Sequence, residues 1–107
     1  MILISKYIVP KGFVGIAIYP FIFLKQAQLK DDEILVNHEK IHLKQQRELL
    51  VVFYFPLYFM EWLFNLCRYR DTKKAYQKIS FEKEAYQNEH NLQYLKTRKH
   101  WTFIKHL

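Results

Sequence analysis

At 107 residues, 50% of them hydrophobic and 18% aromatic, with only 2 Gly and 3 Pro, the chain has room for one domain and too much apolar material for a disordered one. A net charge of +7 admits nucleic acid, anionic lipid or an acidic protein as a partner. No nucleic-acid-binding signature accompanies the charge, so nucleic acid is set aside and a solvated basic surface is the plain reading.

Residues 1–25 read as β. Ile2, Leu3, Ile4, Tyr7, Ile8 and Val9 favour strands, and Pro10-Lys11-Gly12 is a turn signal. Two further runs, Phe13 to Tyr19 and Phe21 to Leu24, are split by Pro20, which lacks a donor and belongs at an edge or a bulge. The expectation is a short antiparallel sheet of two or three strands. Phe21, Ile22, Phe23 and Leu24 are its candidate edge, free to pair with an extended peptide substrate. No basic segment precedes the first apolar residues and Lys6 interrupts them, so no signal peptide is read and the expected compartment is the cytoplasm.

Asp31 or Asp32 caps a helix over 31–50. It carries Asn37-His38-Glu39-Lys40-Ile41-His42, an H-E-x-x-H motif. Two histidines four apart lie on one helix face, one turn from each other, so both imidazoles can grip one metal ion. His38 and His42 are candidate metal ligands, and Glu39 is the candidate catalytic base that takes a proton from the activated water. Ile34, Ile41, Gln45 and Leu49 fall near the same face, so the histidines point toward the core. A hydrogen-bonded histidine pair or a solvated charged face would give the same pattern.

Residues 51–70 form a strongly apolar helical stretch, kinked or restarted at Pro56. Its uncharged part, from Leu49 to Met60, is too short to cross a bilayer, and Glu61 interrupts it. The expectation is a core helix, with Cys67 as a small buried hydrophobe that has no disulfide partner. A membrane-surface contact is the alternative, since Arg68 and Arg70 follow at once. Glu61 either supports a ligand histidine or lies on an exposed face.

After a basic connector, Ser80 caps a helix over 80–96, on which Glu82, Ala85, Tyr86 and Glu89 share a face. A catalytic zinc needs a third protein ligand. A carboxylate on this helix fits, with Glu82 the candidate and Glu84, about 200° away around the helix, the alternative. The basic tail, 97–107, carries His100 and His106, which read as surface histidines or as blockers of an open zinc position.

Asn37 to His42 followed by Ser80-Phe81-Glu82-Lys83-Glu84-Ala85-Tyr86 resembles the gluzincin metallopeptidases, in which H-E-x-x-H is completed by a glutamate on a downstream helix. The resemblance spans residues about 13 to 95 and is greatest to the minimal single-domain members. Glu82 to Ala85 matches that group's E-x-x-A and favours Glu82 as third ligand. Tyr86 stands where those families carry an aspartate that holds a ligand histidine, so Glu61 or Glu89 is the expected substitute.

The resemblance implies a single zincin-like α+β domain, its short sheet followed by three or four helices. It implies one Zn²⁺ per chain, held by His38, His42 and Glu82, and hydrolysis of peptide bonds with Glu39 as general base. Tyr86, His90 and Tyr94 are the candidate oxyanion donors. A non-catalytic zinc-binding relative and a basic helical protein at a membrane surface are the competing readings.

Overall fold

The structure, a computed structural model, describes residues 2–106. Three short strands, β1 (Ile2–Ile4), β2 (Gly15–Ile18) and β3 (Phe21–Leu24), precede five helices: α1 (Glu33–Glu48), α2 (Tyr54–Tyr69), α3 (Thr72–Gln77), α4 (Ser80–Asn88) and α5 (Tyr94–Thr97). The 3-10 turns Ala27–Asp31 and Thr102–His106 complete the chain. The fold class is α+β as expected, with more and shorter helices than the three or four anticipated.

The sheet corrects two expectations. Its order is β1-β3-β2, and β1 pairs with β3 in parallel, so it is mixed rather than antiparallel. Only β2 and β3, joined tightly at Tyr19-Pro20, form an antiparallel hairpin. The Pro10-Lys11-Gly12 turn lies inside the long link from β1 to β2, which lets β3 insert between them. Phe21 to Leu24 is therefore the central strand. Pro20 sits in the hairpin turn, where its missing donor is harmless.

Helix α1 starts where Asp32 accepts a hydrogen bond from the Leu35 amide (3.1 Å). It lies on the sheet, with Ile41 buried beside the buried β3 residues Ile22 and Leu24. Helix α4 packs on its other flank, where Ala85 is fully buried and small enough to let the two helices approach. Ser80 is the first helical residue of α4 rather than its cap, and that helix ends at Asn88, short of the expected Lys96. The main apolar cluster is centred on Phe81, whose ring meets Tyr54 at 4.6 Å and Phe103 at 4.7 Å.

Helix α2 corrects the core-helix reading in part. Its inward stripe is Tyr54, Tyr58, Glu61 and Asn65, and only Tyr54 and Asn65 are buried. Most of its apolar residues, Cys67 among them, face outward, while Trp62 packs partly buried against the Phe81 cluster. The inner side of this helix meets both the Phe81 cluster, through Tyr54, Tyr58 and Trp62, and polar groups that claim the Tyr58 hydroxyl, Glu61 and Asn65. No helix among the described residues is long and apolar enough to cross a membrane.

Candidate metal centre

Helix α1 presents His38 and His42 one turn apart on its buried face, and α4 brings Glu82 against them. Three atoms converge. His38 Nε2 and His42 Nε2 are 3.1 Å apart, and Glu82 Oε1 lies 3.3 Å from the first and 3.0 Å from the second. The other ring nitrogens are already engaged. His38 Nδ1 meets Glu89 Oε2 at 3.0 Å, and His42 Nδ1 meets Gln45 Oε1 at 2.8 Å. The Gln45 amide cannot flip, because its Nε2 donates to the Phe81 carbonyl and to Glu84 Oε1, both at 3.0 Å. Both Nδ1 atoms are thus the donors of their rings, and both Nε2 atoms turn lone pairs toward a carboxylate oxygen.

Three acceptors this close, with no proton among them, repel one another and require a cation. Ligand bonds of ~2.0–2.1 Å in a tetrahedral site set ligand atoms about 3.3 Å apart, close to the observed edges. Two imidazole nitrogens and one carboxylate oxygen are a donor set suited to zinc. A proton is the other cation that meets the demand. Burial opposes a charged His42, but the Glu82 carboxylate and its hydrogen bond, with help from Glu39 and Gln45, carry its pKa up to about 9. Burial likewise opposes a charged Glu82. His42 and hydrogen bonds from His38, His42 and Tyr58 nonetheless hold that carboxyl far below the usual range.

Glu39 stands beside this triangle, its carboxylate within 4.8 Å of the histidine ligand atoms. Burial pushes its pKa up, and Glu82 and Glu89 add to that against the pull of His42 and His38. A carboxylate raised this way takes up a proton more readily than an exposed one, the direction that a general base requires.

Several side chains hold the triangle in place. Glu89, which caps the C-terminus of α4 two turns beyond Glu82, meets His38 in the way the sequence anticipated of Glu61 or Glu89. Asn37 Nδ2 donates to the carbonyls of Glu89 (2.8 Å) and Asn91 (3.0 Å), tying the end of α4 to α1 beside that contact. Tyr58 donates to Glu82 Oε2 at 2.6 Å, which leaves Oε1 for the histidines. Glu61 has a different task. It accepts from the Ser80 amide (2.9 Å) and hydroxyl (2.8 Å), anchoring α2 to the first turn of α4.

The remaining candidates divide. The Tyr86 ring meets His38 edge-on at 4.5 Å, and its hydroxyl lies 3.1 Å from that of Tyr76. Both phenols line the cleft, and burial raises both pKa values, so each stays protonated. Tyr94 lies outside the cleft, donating to Glu84 Oε2 at 2.7 Å, and His90 is exposed away from it. Glu84 is turned away from the His38–His42–Glu82 triangle toward Gln45, Tyr94 and Arg98. His100 meets Glu48 at 3.1 Å on another face, and neither it nor His106 lines the cleft. Neither histidine blocks the site.

The cleft has a volume of about 1160 Å³ and runs from the histidines to strand β2. Here the edge-strand expectation is corrected, because the strand edge at the site belongs to β2 and β3 is enclosed on both sides. The Lys25 amide donates to the Val14 carbonyl, so by antiparallel alternation residues 14, 16 and 18 bond to β3 while 15 and 17 turn their backbone outward. Gln46 already covers the Ala17 carbonyl (2.7 Å) and the Tyr19 amide (2.6 Å). The Gly15 amide and carbonyl and the Ala17 amide are left facing away from the sheet. A Cβ placed on Gly15 would sit 3.7 Å from Glu39 Oε2, so this edge lies beside the candidate base.

Tyr58, Tyr76 and Asn37 went unnoticed in the sequence. The signal for Tyr58 was present. Tyr54, Tyr58, Glu61 and Asn65 recur at helical spacing inside an otherwise apolar run, which marks the side of α2 that meets something polar. Compared with protein-family models, curated proteins and solved structures, the chain matches none of them.

Proposed function

We propose that the protein is a zinc-dependent metallopeptidase, with His38, His42 and Glu82 holding the metal and Glu39 serving as general base. The observation that carries this reading is the lone-pair triangle of 3.0–3.3 Å, with a raised carboxylate and an open strand edge beside it. When bound, zinc supplies Lewis acidity and lowers the pKa of a water toward ~7.

The protein's own groups do the rest. An extended peptide pairs with the outward Gly15 and Ala17 backbone groups, which sets its carbonyl next to Glu39. Glu39 takes the proton of the attacking water and passes it to the leaving amine. Tyr86 and Tyr76 offer hydroxyl donors to the carbonyl oxygen as it gains negative charge. Glu89, Gln45 and Tyr58 keep the three ligand atoms aimed inward, as outer partners of metal ligands do.

The test is metal content by mass spectrometry on the wild type, His38→Ala, Glu82→Ala and Glu39→Gln, followed by cleavage of a peptide library. The expected result is about one zinc per chain, lost in the first two variants and kept in the third. Glu39→Gln should lose cleavage by roughly 10²–10⁴-fold. A chain that takes up no zinc when zinc is offered would sink the proposal. Zinc bound without cleavage of any peptide would reduce it to a metal-binding protein.

A further inference from the structure

Phe53, Leu57, Met60, Leu63 and Phe64 lie within one arc of α2 and its cap, opposite the inward tyrosines. Phe53, Met60 and Phe64 are 59%, 63% and 68% exposed. At ~200 Å² per large side chain these three alone present roughly 380 Å² of apolar surface, and the leucines add to it. That alone falls within the range of the largest patch on a typical monomer, which is often functional. The turn entering α2 extends it. Leu50 and Val51 both adopt left-handed backbone (φ 58 and 57), which is uncommon for leucine and an outlier for a β-branched residue. That turn exposes Leu50 and Val52 beside the helix start.

We propose that this face docks onto an anionic lipid bilayer, with α2 lying in the plane of the interface. Two observations choose the occupant. The helix is too short to cross a membrane, yet its apolar arc is continuous and carries no charge before Arg68, as for a helix lying in the interface. It then runs into Arg68, Arg70, Lys73 and Lys74, all exposed, with Asp71 the acid among them. That basic cluster complements anionic headgroups. A symmetric pair of chains would instead bring two bodies of net charge +7 together. Phe55 and Phe59, on the flank of the arc, also line the cleft, so a docked chain holds its cleft mouth near the lipid surface. Peptide segments close to a membrane are then the substrates within reach, a consequence that rests on the peptidase reading as the docking does not.

The test is sedimentation of the full chain with vesicles of phosphatidylcholine containing about one third phosphatidylglycerol, beside vesicles of phosphatidylcholine alone. Strong binding is expected only to the anionic vesicles, falling steeply in roughly 0.5 M salt. The variant F53Q/M60Q/F64Q changes exposed residues outside the cleft and should weaken binding by well over tenfold. The variant R68Q/R70N/K74Q should weaken it about fivefold per charge, roughly a hundredfold in all. Circular dichroism checks each fold, and if the apolar variant does not fold, the charge variant and the salt series carry the test.

Failure to bind anionic vesicles, or binding that survives a folded F53Q/M60Q/F64Q, overturns the proposal. So does a concentration-dependent dimer dissolved by that variant in a chain that ignores vesicles. Vesicle binding is read without metal or peptide, so its failure and that of the peptidase reading are separable.

Discussion

Arg98→Met tests what holds α1 and α4 together. The Arg98 side chain is closed off from solvent and spans α1 and α4. Its guanidinium donates to both oxygens of Glu84 and, at 2.8 Å, to Glu48 Oε2. Glu84 also accepts from Gln45, the residue that orients His42. Methionine keeps much of the arginine stem's volume and removes its charge, leaving two buried carboxylates facing each other. Removing one member of a buried ionic cluster costs about 3–5 kcal/mol. In a domain of this size that lowers Tm by roughly 15–25 °C. The assay is thermal unfolding followed by circular dichroism at pH 7. A fall of under about 5 °C, as for an exposed ion pair, would refute the reasoning. The pH dependence gives a second reading of the same contact. Burial raises Glu84, but Arg98 and the hydrogen bonds from Gln45 and Tyr94 outweigh it, so its pKa is lowered in the fold. That stability is present above the unfolded carboxylate value of ~4.3 and is lost as pH falls through the folded one. Without Arg98, burial governs and the sign reverses, so acidification relieves the variant. The Tm gap between wild type and Arg98→Met should therefore narrow from pH 7 toward pH 4, and a constant gap would show that charge is not the cause.

Glu89→Ala removes the acceptor of His38 Nδ1 while leaving all three ligand atoms in place. Zinc affinity should fall about 10- to 100-fold, read by competition with a chromophoric chelator, with little change in Tm. Gly15→Val puts a branched side chain against Leu24, whose methyl already lies 3.0 Å from the Cβ position, and crowds the edge beside Glu39. Zinc content should hold while kcat/KM drops at least tenfold, seen as a rise in KM; unaltered cleavage would remove β2 from substrate binding.

The sequence and the structure agree most closely where chemistry depends on local spacing. Helical periodicity alone sets His38 and His42 on one face, and a seven-residue separation sets Glu82 and Glu89 on another. Those short-range regularities need no knowledge of the fold. Strand order is different, because it depends on which segments meet across the sheet. Phe21 to Leu24 has the same β-forming composition whether it lies at an edge or in the centre, and the length of the link over 5–14 is what moves it inward. The supporting contacts Asn37 to Glu89 and Tyr58 to Glu82 were unreadable for a similar reason. Each joins residues far apart in the chain, and the same amide or phenol would serve equally well on a surface.

In helix α2, hydrophobicity is a poor guide to burial. In a chain this small, the space where a core would grow is partly occupied by a cluster of buried polar side chains. Glu39, Glu82, His38 and His42 are all buried, as are Gln45, Gln46 and Glu84. A helix packed against such a region must present polar groups inward, and Tyr58 and Glu61 do so by binding Glu82 and Ser80. The inward stripe is thus explained by the site it supports. The outward stripe has no such explanation in a chain surrounded by water. Phe53, Met60 and Phe64 contribute little to the Phe81 cluster, and their replacement by polar residues should leave the folded chain nearly as stable. If F53Q/M60Q/F64Q keeps the wild-type Tm within a few degrees yet loses the lipid surface, the apolarity of that face serves contact rather than folding. A large fall in Tm would instead show that this face also supports the fold, and the charge variant and the salt series would then carry the docking test.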